Sequence, residues 1–596
     1  MLTLKGLRFG AFMVLCGVSV SPAAALERLQ FLTPGADEAL SNDLRAASLL
    51  VAAQAEGTTM PQDLLAAALA DYGRLVGALY AEGRFGGIIN IMIDGREAAS
   101  IPPINPPERI SEITVTVQPG PQYRFSRTEI RPQAPGTDLP TGFSLGQPAR
   151  TPLIRDGVAA AIEGWRDAGR AKAAVAGQQV TADHDADTVG VRVAVQPGPL
   201  VTFGDLLLKG GDRVRPARLR KIAGLPTGQV YSPAALEKSA ARLRRTGVFK
   251  SVSLSEAEHL GPGDTLAITA TLDEEAPRRI GFGAELSSVE GARLSAFWLH
   301  RNLLGGAERL RLEGEVAGIG GGTGGVDYRF AARYGRPATP DPDTDLFVLA
   351  EIEQLNEPDF STKTANLGFG FTRYVSDDLT VEAGLAYRFS EVTDFNGTTQ
   401  YNLLTLPLGA TYDTRDVALD ATKGVFADVE VMPFLGLAGS ESGARLAFDT
   451  RAYRALGEAG NIVVAGRVQG GSIVGASLAG VPNDYRFYSG GGGTVRGQDY
   501  QSLGLMLNGN KTGGRSFLAI SGEVRAKVRE KIGVVAFADF GLVSADSFGA
   551  NGETHGGAGL GLRYLTPIGP IRLDVAAPIG GTSKGVHVYV GIGQSF

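Results

Sequence analysis

The chain has 596 residues, 43% of them hydrophobic, and a formal net charge of -6, which excludes both a disordered tail and a basic nucleic-acid binder. Its single cysteine excludes a disulfide framework. Glycine is the outlier: 82 residues, where ordinary usage of about 7% would give about 42.

Lys5 and Arg8 precede an apolar stretch from Phe9 to Val20, and Ala23, Ala24 and Ala25 follow as a small-residue cleavage pattern. Residues 1–25 are therefore expected to be a signal peptide, too short in its apolar part to cross a bilayer as a helix. Its removal takes Cys16 with it and leaves no thiol chemistry.

Three repeats follow. "VTVQPGPQYRFSRTEI" from residue 115 returns as "VAVQPGPLVTFGDLLL" from residue 193, and the same offset carries Gly169 onto Gly247. A looser copy, "AEGRFGGIINIMI", begins at residue 81. Each unit reads as strand, two helices, turn and two strands, with Ser232 as an N-cap and Gly224 and Gly247 as helix stops in the last. The expected units are α+β modules at 26–118, 119–197 and 198–277, separated by Pro-Gly-Pro.

Beyond Pro277, helix periodicity gives way to alternation. In "ERLRLEGEV", Leu310, Leu312 and Val316 share one face while Arg309, Arg311, Glu313 and Glu315 share the other. "PIRLDVA" sets Arg572 and Asp574 against Ile571, Leu573 and Val575, and Glu523, Arg525 and Lys527 form another ionic face. Strands of about ten residues, apolar on one side and ionic on the other, suit a transmembrane antiparallel β-barrel better than a soluble sandwich. At about 20 residues per strand and connection, 278–596 holds about 16 strands.

"YDTRDVALDATKGVFADVEV" from residue 412, "TVRGQDY" from residue 494 and the closing "GVHVYVGIGQSF" resemble, together with the repeats, the outer-membrane insertase and translocase superfamily of BamA, TamA and two-partner-secretion transporters. The resemblance implies that the repeats are polypeptide-transport-associated (POTRA) domains in the periplasm. Three of them point to the TamA branch, with a general BamA-like insertase or a two-partner transporter exporting a dedicated substrate as alternatives. It implies a TamB-like inner-membrane-anchored partner, unfolded outer-membrane or autotransporter clients, and a lipid bilayer around the barrel.

By the same resemblance, Val495, Arg496, Gly497 and Tyr500 belong to a loop tucked into the lumen. Arg496 is its latch, and Glu523 and Asp539 are the acceptors on the wall. A guanidinium suits such a position because its planar fork satisfies two carboxylate oxygens at once. The parity of Asp539 argues against it, since Val535 and Phe537 share its face. Gly490, Gly491, Gly492 and Gly493 are expected to let the backbone fold back where φ is positive or side chains clash. The last strand places Val586, Val588, Val590, Ile592 and Phe596 on one face. Its partner near residues 278–288 carries Gly281, Phe282 and Gly283, whose glycines weaken pairing and mark a lateral seam, with a tie expected near residues 282 and 590.

No catalytic, cofactor or metal site is expected. His184, His259, His300, His555 and His587 lack ligand spacing, and "DHDADT" from residue 183 carries Thr188 where a calcium loop needs glycine.

Overall fold

The computed structural model describes residues 28–287, 291–322, 324–457, 460–549, 551–567 and 569–596. The expected signal peptide lies outside the described residues. Two compact units emerge: one runs up to Phe203 and takes in Gly228–Pro233 and Gly261–Leu266, and the other holds Gly204–Thr227, Ala234–Leu260 and Ala267–Phe596.

Within the first unit lie two small sheets. Arg28–Leu32 pairs in parallel with Glu112–Gln118, which pairs antiparallel with Ile88–Ile93, and a short Arg96–Glu97 strand completes the sheet. Three helices, Glu38–Ala47, Leu49–Glu56 and Pro61–Ala81, build its core from Leu44, Leu50, Leu64, Leu75, Ile91, Ile113 and Val115, so this copy has three helices where two are expected. The second sheet orders Arg124–Arg131, Thr188–Gln196 and Ala174–Asp183 around a single helix, Thr151–Asp167. Residues 184–187 form the tight turn between its last two strands.

A third sheet orders Thr202–Gly210, Thr265–Glu274 and Phe249–Glu256, with helices Pro216–Ala223 and Pro233–Arg245. Gly224 ends the first of these in a left-handed conformation, which glycine adopts without a Cβ penalty.

The barrel strands, in chain order, are β1 (Arg278–Ser287), β2 (Gly291–His300), β3 (Arg309–Ile319), β4 (Asp327–Arg336), β5 (Thr344–Asn356), β6 (Ser361–Tyr374) and β7 (Leu379–Asp394). Next come β8 (Gly397–Thr405 continued by Leu408–Asp413), β9 (Gly424–Leu437), β10 (Gly443–Leu456) and β11 (Ile462–Val474). The barrel finishes with β12 (Ser516–Arg529), β13 (Ile532–Ser544), β14 (Glu553–Tyr564), β15 (Ile571–Ile579) and β16 (His587–Ile592). The ring is closed. Both halves of β8 pair with β7 and β9, and the interruption falls at Leu406-Pro407, where proline has no N–H for the ladder.

Alternation sorts the wall into two surfaces. Phe330, Ile352, Leu367, Phe448, Val524, Leu560 and Leu573 are exposed on the outside, an apolar girdle far larger than soluble monomers tolerate. The lumenal side carries ion pairs such as Arg293 with Glu315 at 2.9 Å, Arg333 with Glu382 at 2.9 Å, and Arg451 and Arg467 sharing Asp449 at 2.7 Å each.

The helical side of the third sheet is clasped to the β4–β5 turn. Arg242 donates to both oxygens of Asp343 at 2.8 and 2.7 Å, and Lys238 adds a third contact at 3.1 Å. The Arg242 guanidinium holds the Asp343 carboxyl well below the usual carboxylate range. Arg245 lies 3.7 Å over the Tyr374 ring and donates to the Pro342 carbonyl.

Candidate functional site

The connection from β11 to β12, residues 475–515, is the longest in the barrel, and it folds into the lumen instead of standing clear of it. Its root is held on one side of the ring. Asp484 pairs with Arg388 of β7, Tyr401 of β8 donates to the Ala479 carbonyl at 2.9 Å, and Tyr485 and Phe487 bury against Leu403, Phe434 and Ile473. Further on, Tyr500 donates to Glu357 at 3.2 Å and Lys511 reaches Asp359 at 3.2 Å, both in the β5–β6 turn.

Its tip crosses to β12–β16. Arg496 is 2% exposed, so its charge is stabilised only by what surrounds it. Its Nε and Nη2 donate to the two oxygens of Asp539 at 2.8 and 2.9 Å, and its backbone N–H donates to the same carboxylate at 3.0 Å. Nη1 donates to Glu523 at 2.6 Å and approaches Asp574 at 3.5 Å. The guanidinium lies 3.6 Å over the Phe537 ring.

Asp539 is thus the two-pronged partner, and the parity objection falls away without a bulge. Val535, Phe537 and Asp539 are all buried toward the lumen, while Val534, Ala536, Ala538 and Phe540 face outward. Strand β13 is apolar on both faces because the loop covers the inner one. Glu523 is shared, since Arg525 also donates to it at 2.8 Å.

The glycines divide. Gly490, Gly491 and Gly497 have positive φ, whereas Gly492 and Gly493 do not, and a Cβ on Gly493 would meet nothing within 4 Å. Positive φ is thus confined to the first half of the tetraglycine. At Gly497, with φ 89°, a Cβ would lie 2.6 Å from the Ala577 carbonyl oxygen, so the backbone contact with β15 needs glycine. Val495, which precedes Arg496, is fully buried.

Several functional contacts have weaker sequence signals. A Cβ on Gly557 of β14 would come within 1.8 Å of the Arg496 carbonyl oxygen, so the loop docks on a bare stretch of strand. Asp574 of β15 accepts from Arg563 as well as facing Arg496. Gln498, fully buried, donates to the carbonyls of Gly556 and Gly580. Tyr589 of β16 accepts from the Gly497 N–H at 3.1 Å. The ionic parity of "PIRLDVA" pointed toward the lumen for Asp574; nothing local marks Gly557 or Tyr589.

The closing seam is lopsided. Among the described residues, β16 shares six register pairs with β15, while on the β1 side Ser287 stands opposite Tyr589 and the β1 residues before it, Arg278–Leu286, have no register partner in β16. Gly281 and Gly283 are both fully laddered to β2, where the Phe297 ring and the Ser295 hydroxyl occupy the space their Cβ atoms would take. By the register they would face residues 595 and 593, beyond the end of β16 at Ile592. The register would set Phe282 against Gln594, which has left the ladder, so the expected tie between 282 and 590 moves to Leu286 and Val590, one step from the observed pair.

Phe596 also departs from its expected place. Val586, Val588, Val590 and Ile592 are exposed on the outer face, but Gly593 at φ 90° turns the chain inward. Phe596 buries with Ala421, Tyr453 and Ala465, and its carbonyl accepts from Arg525 at 3.0 Å.

Comparison with known proteins finds matches to both parts of this architecture. Residues 302–596 match the Omp85 superfamily domain, and residues 201–275 match the POTRA family described as a surface antigen variable number repeat. The outer membrane protein assembly factor BamA of Nitratidesulfovibrio vulgaris is 22% identical over 414 residues, covering 66% of this chain and 50% of that protein, so the chain spans about half the length of this relative. Among solved structures, BamA from Haemophilus ducreyi lacking POTRA domains 1-3 is similar with a TM-score of 0.60 and 18% identity, over 79% of this chain and 98% of that one. CdiB from Acinetobacter baumannii is similar at a TM-score of 0.50 and 14% identity, over 79% and 89%.

Proposed function

We propose that this chain, an Omp85-superfamily β-barrel protein of the outer membrane with a POTRA domain in the periplasm, assembles or translocates β-rich clients at the seam between β16 and β1. The observation that carries this reading is that, among the described residues, Arg278–Leu286 of β1 have no register partner in β16, the pairing across the seam starting at Ser287 opposite Tyr589. An interrupted ladder leaves backbone donors and acceptors of β1 available to an incoming strand, which adds by backbone pairing. No nucleotide or cofactor is needed: burial of the client's apolar strand face in lipid and satisfaction of its backbone groups supply the driving force.

The buried Arg496 cluster suits a latch that holds the loop across the lumen while the seam is idle. Glu523 and Asp539 are its acceptors in this reading, Val495, Gly497 and Tyr500 shape it, and Gly490 and Gly491 are its hinge.

The finer assignment is a TamA-like protein with three POTRA domains, at 26–118, 119–197 and 198–277, working with a TamB-like inner-membrane-anchored partner. The repeat of the Pro-Gly-Pro strand and the three small sheets support it. Reconstitution in lipid vesicles tests the general reading: the purified chain should accelerate folding of an autotransporter barrel, and no acceleration over empty vesicles refutes it. Depletion separates the branches. A TamA-like role predicts loss of a narrow set of clients, a general insertase predicts collapse of the whole outer-membrane proteome, and a two-partner transporter predicts loss of one secreted substrate. Deleting residues 28–118 should abolish co-purification of the partner.

A further inference from the structure

Tyr589 stands at a crossing of the two features described above. Its backbone stands in register with Ser287 of β1, where the described pairing across the seam begins, and on its other side it pairs with Asp574 of β15. Its side chain points the other way in function. The ring is 5% exposed and buries with Val535, Phe537 and Ala576. A Cβ on Gly492 of the loop would lie 3.2 Å from it, and its hydroxyl accepts the N–H of Gly497, the residue after the latch. Phe537, against which Tyr589 packs, is also the ring under the Arg496 guanidinium.

We infer that Tyr589 is the positioning residue through which the lumenal loop holds the seam closed. The inference rests on the proposed reading of the seam as the working edge. While Arg496 sits on Phe537 between Asp539 and Glu523, the loop backbone reaches the Tyr589 hydroxyl and fixes that residue against the inner wall. The same residue takes part in the ladder with β1, opposite Ser287. Withdrawal of the loop removes the hydrogen bond and opens one side of the ring's pocket, so β16 keeps its pairing to β15 but loses its inner support at the point where it meets β1. Undocking the latch and opening the seam are then one transition, because both are read out at a single side chain.

Further contacts run in parallel. Glu523 connects Arg496 to Arg525, which holds the Phe596 carbonyl, and Asp574 connects it to Arg563, which donates to Gln594 at 2.7 Å. The tail beyond β16 is thus tied into the same ion cluster, which restricts how far β16 can move while the latch is seated.

The test uses the full chain in outer-membrane vesicles, with Leu286→Cys and Val590→Cys added and seam closure read as the initial rate of disulfide formation under mild oxidant. Tyr589→Phe keeps the ring and deletes the acceptor. It should lower that rate about fivefold, the effect expected from one buried hydrogen bond. Arg496→Ala should lower it at least as much, and the double variant no further than the larger single effect. A Tyr589→Phe rate equal to the parent, or two effects that multiply as independent sites, would overturn the inference. Hydrogen exchange supplies a reading that needs no cysteine: amides of residues 587–592 should exchange faster in Arg496→Ala, and unchanged protection overturns it equally. Neither readout involves client assembly. A seam that loosens as expected in a chain that assembles no client refutes the proposed function and leaves the coupling standing, whereas assembly without coupling does the reverse.

Discussion

The two flanks of β16 are built on different principles. Toward β15 it is held by a regular ladder of six register pairs. Toward β1 the described pairing begins only at Ser287 opposite Tyr589, and inward-reaching side chains add to it: Tyr589 under the loop, and Gln594 and Phe596 folded into the lumen. A barrel ordinarily removes its edges by closing on backbone hydrogen bonds. On the proposed reading the lumenal loop reinforces closure on that flank, so the strength of the seam depends on chemistry some distance from it.

That difference can be broken most severely at the latch. Arg496→Ala leaves Asp539, Glu523 and Asp574 without their shared cation, and removing one partner of a buried pair typically costs about 3–5 kcal/mol. Protease cleavage between residues 490 and 500 should become rapid, while heat-modifiable migration shows the barrel still formed. Gly557→Val should produce the same undocking with all charges intact, because its side chain occupies the place of the Arg496 carbonyl.

The acceptors should rank next. Asp539 receives three hydrogen bonds from Arg496 and Glu523 one, and Arg525 keeps the Phe596 carbonyl when Glu523 is neutral. Asp539→Asn is expected to loosen the loop more than Glu523→Gln, by about 1–2 kcal/mol in urea titrations of loop protection. Equal effects would mean that the cluster acts as an undirected pool of charge.

A weaker contrast lies at the clasp between the third sheet and the β4–β5 turn. The Asp343 carboxyl is held low by Arg242, so its contribution, about 2 kcal/mol, is fully present above its ordinary value near 4. As pH falls from there through the lowered value, protonation removes it. Hydrogen-exchange protection of helix Pro233–Arg245 should therefore decline in acid, and Arg242→Ala should weaken that pH dependence, leaving the part that Lys238 supports. The smallest effect is expected at Gly493→Ala, within about 0.5 kcal/mol, since nothing lies near its Cβ, whereas Gly497→Ala should disturb the loop strongly.

Much of this was readable in the sequence because it is periodic or local. Alternation of ionic and apolar residues over about ten positions marks a crossing strand whatever its neighbours, and the inner faces of β12 and β15 follow from that parity. The place of Asp539 was obscured because its strand is apolar on both sides, and the covering loop lies more than thirty residues away in the chain. Gly557, Tyr589 and the inward turn at Gly593 were not legible for the same reason. Each is decided by what a distant segment brings against it, and a glycine opposite a carbonyl looks in sequence like any other glycine.

The most direct measurement locks the seam. A chain carrying Leu286→Cys and Val590→Cys is purified oxidised, checked for a folded barrel by heat-modifiable migration, and assayed for assembly of an autotransporter client before and after reduction. Loss of assembly in the oxidised form, with full recovery on reduction, is the expected result; a locked barrel that assembles its client at the unlocked rate would contradict a working edge between β16 and β1.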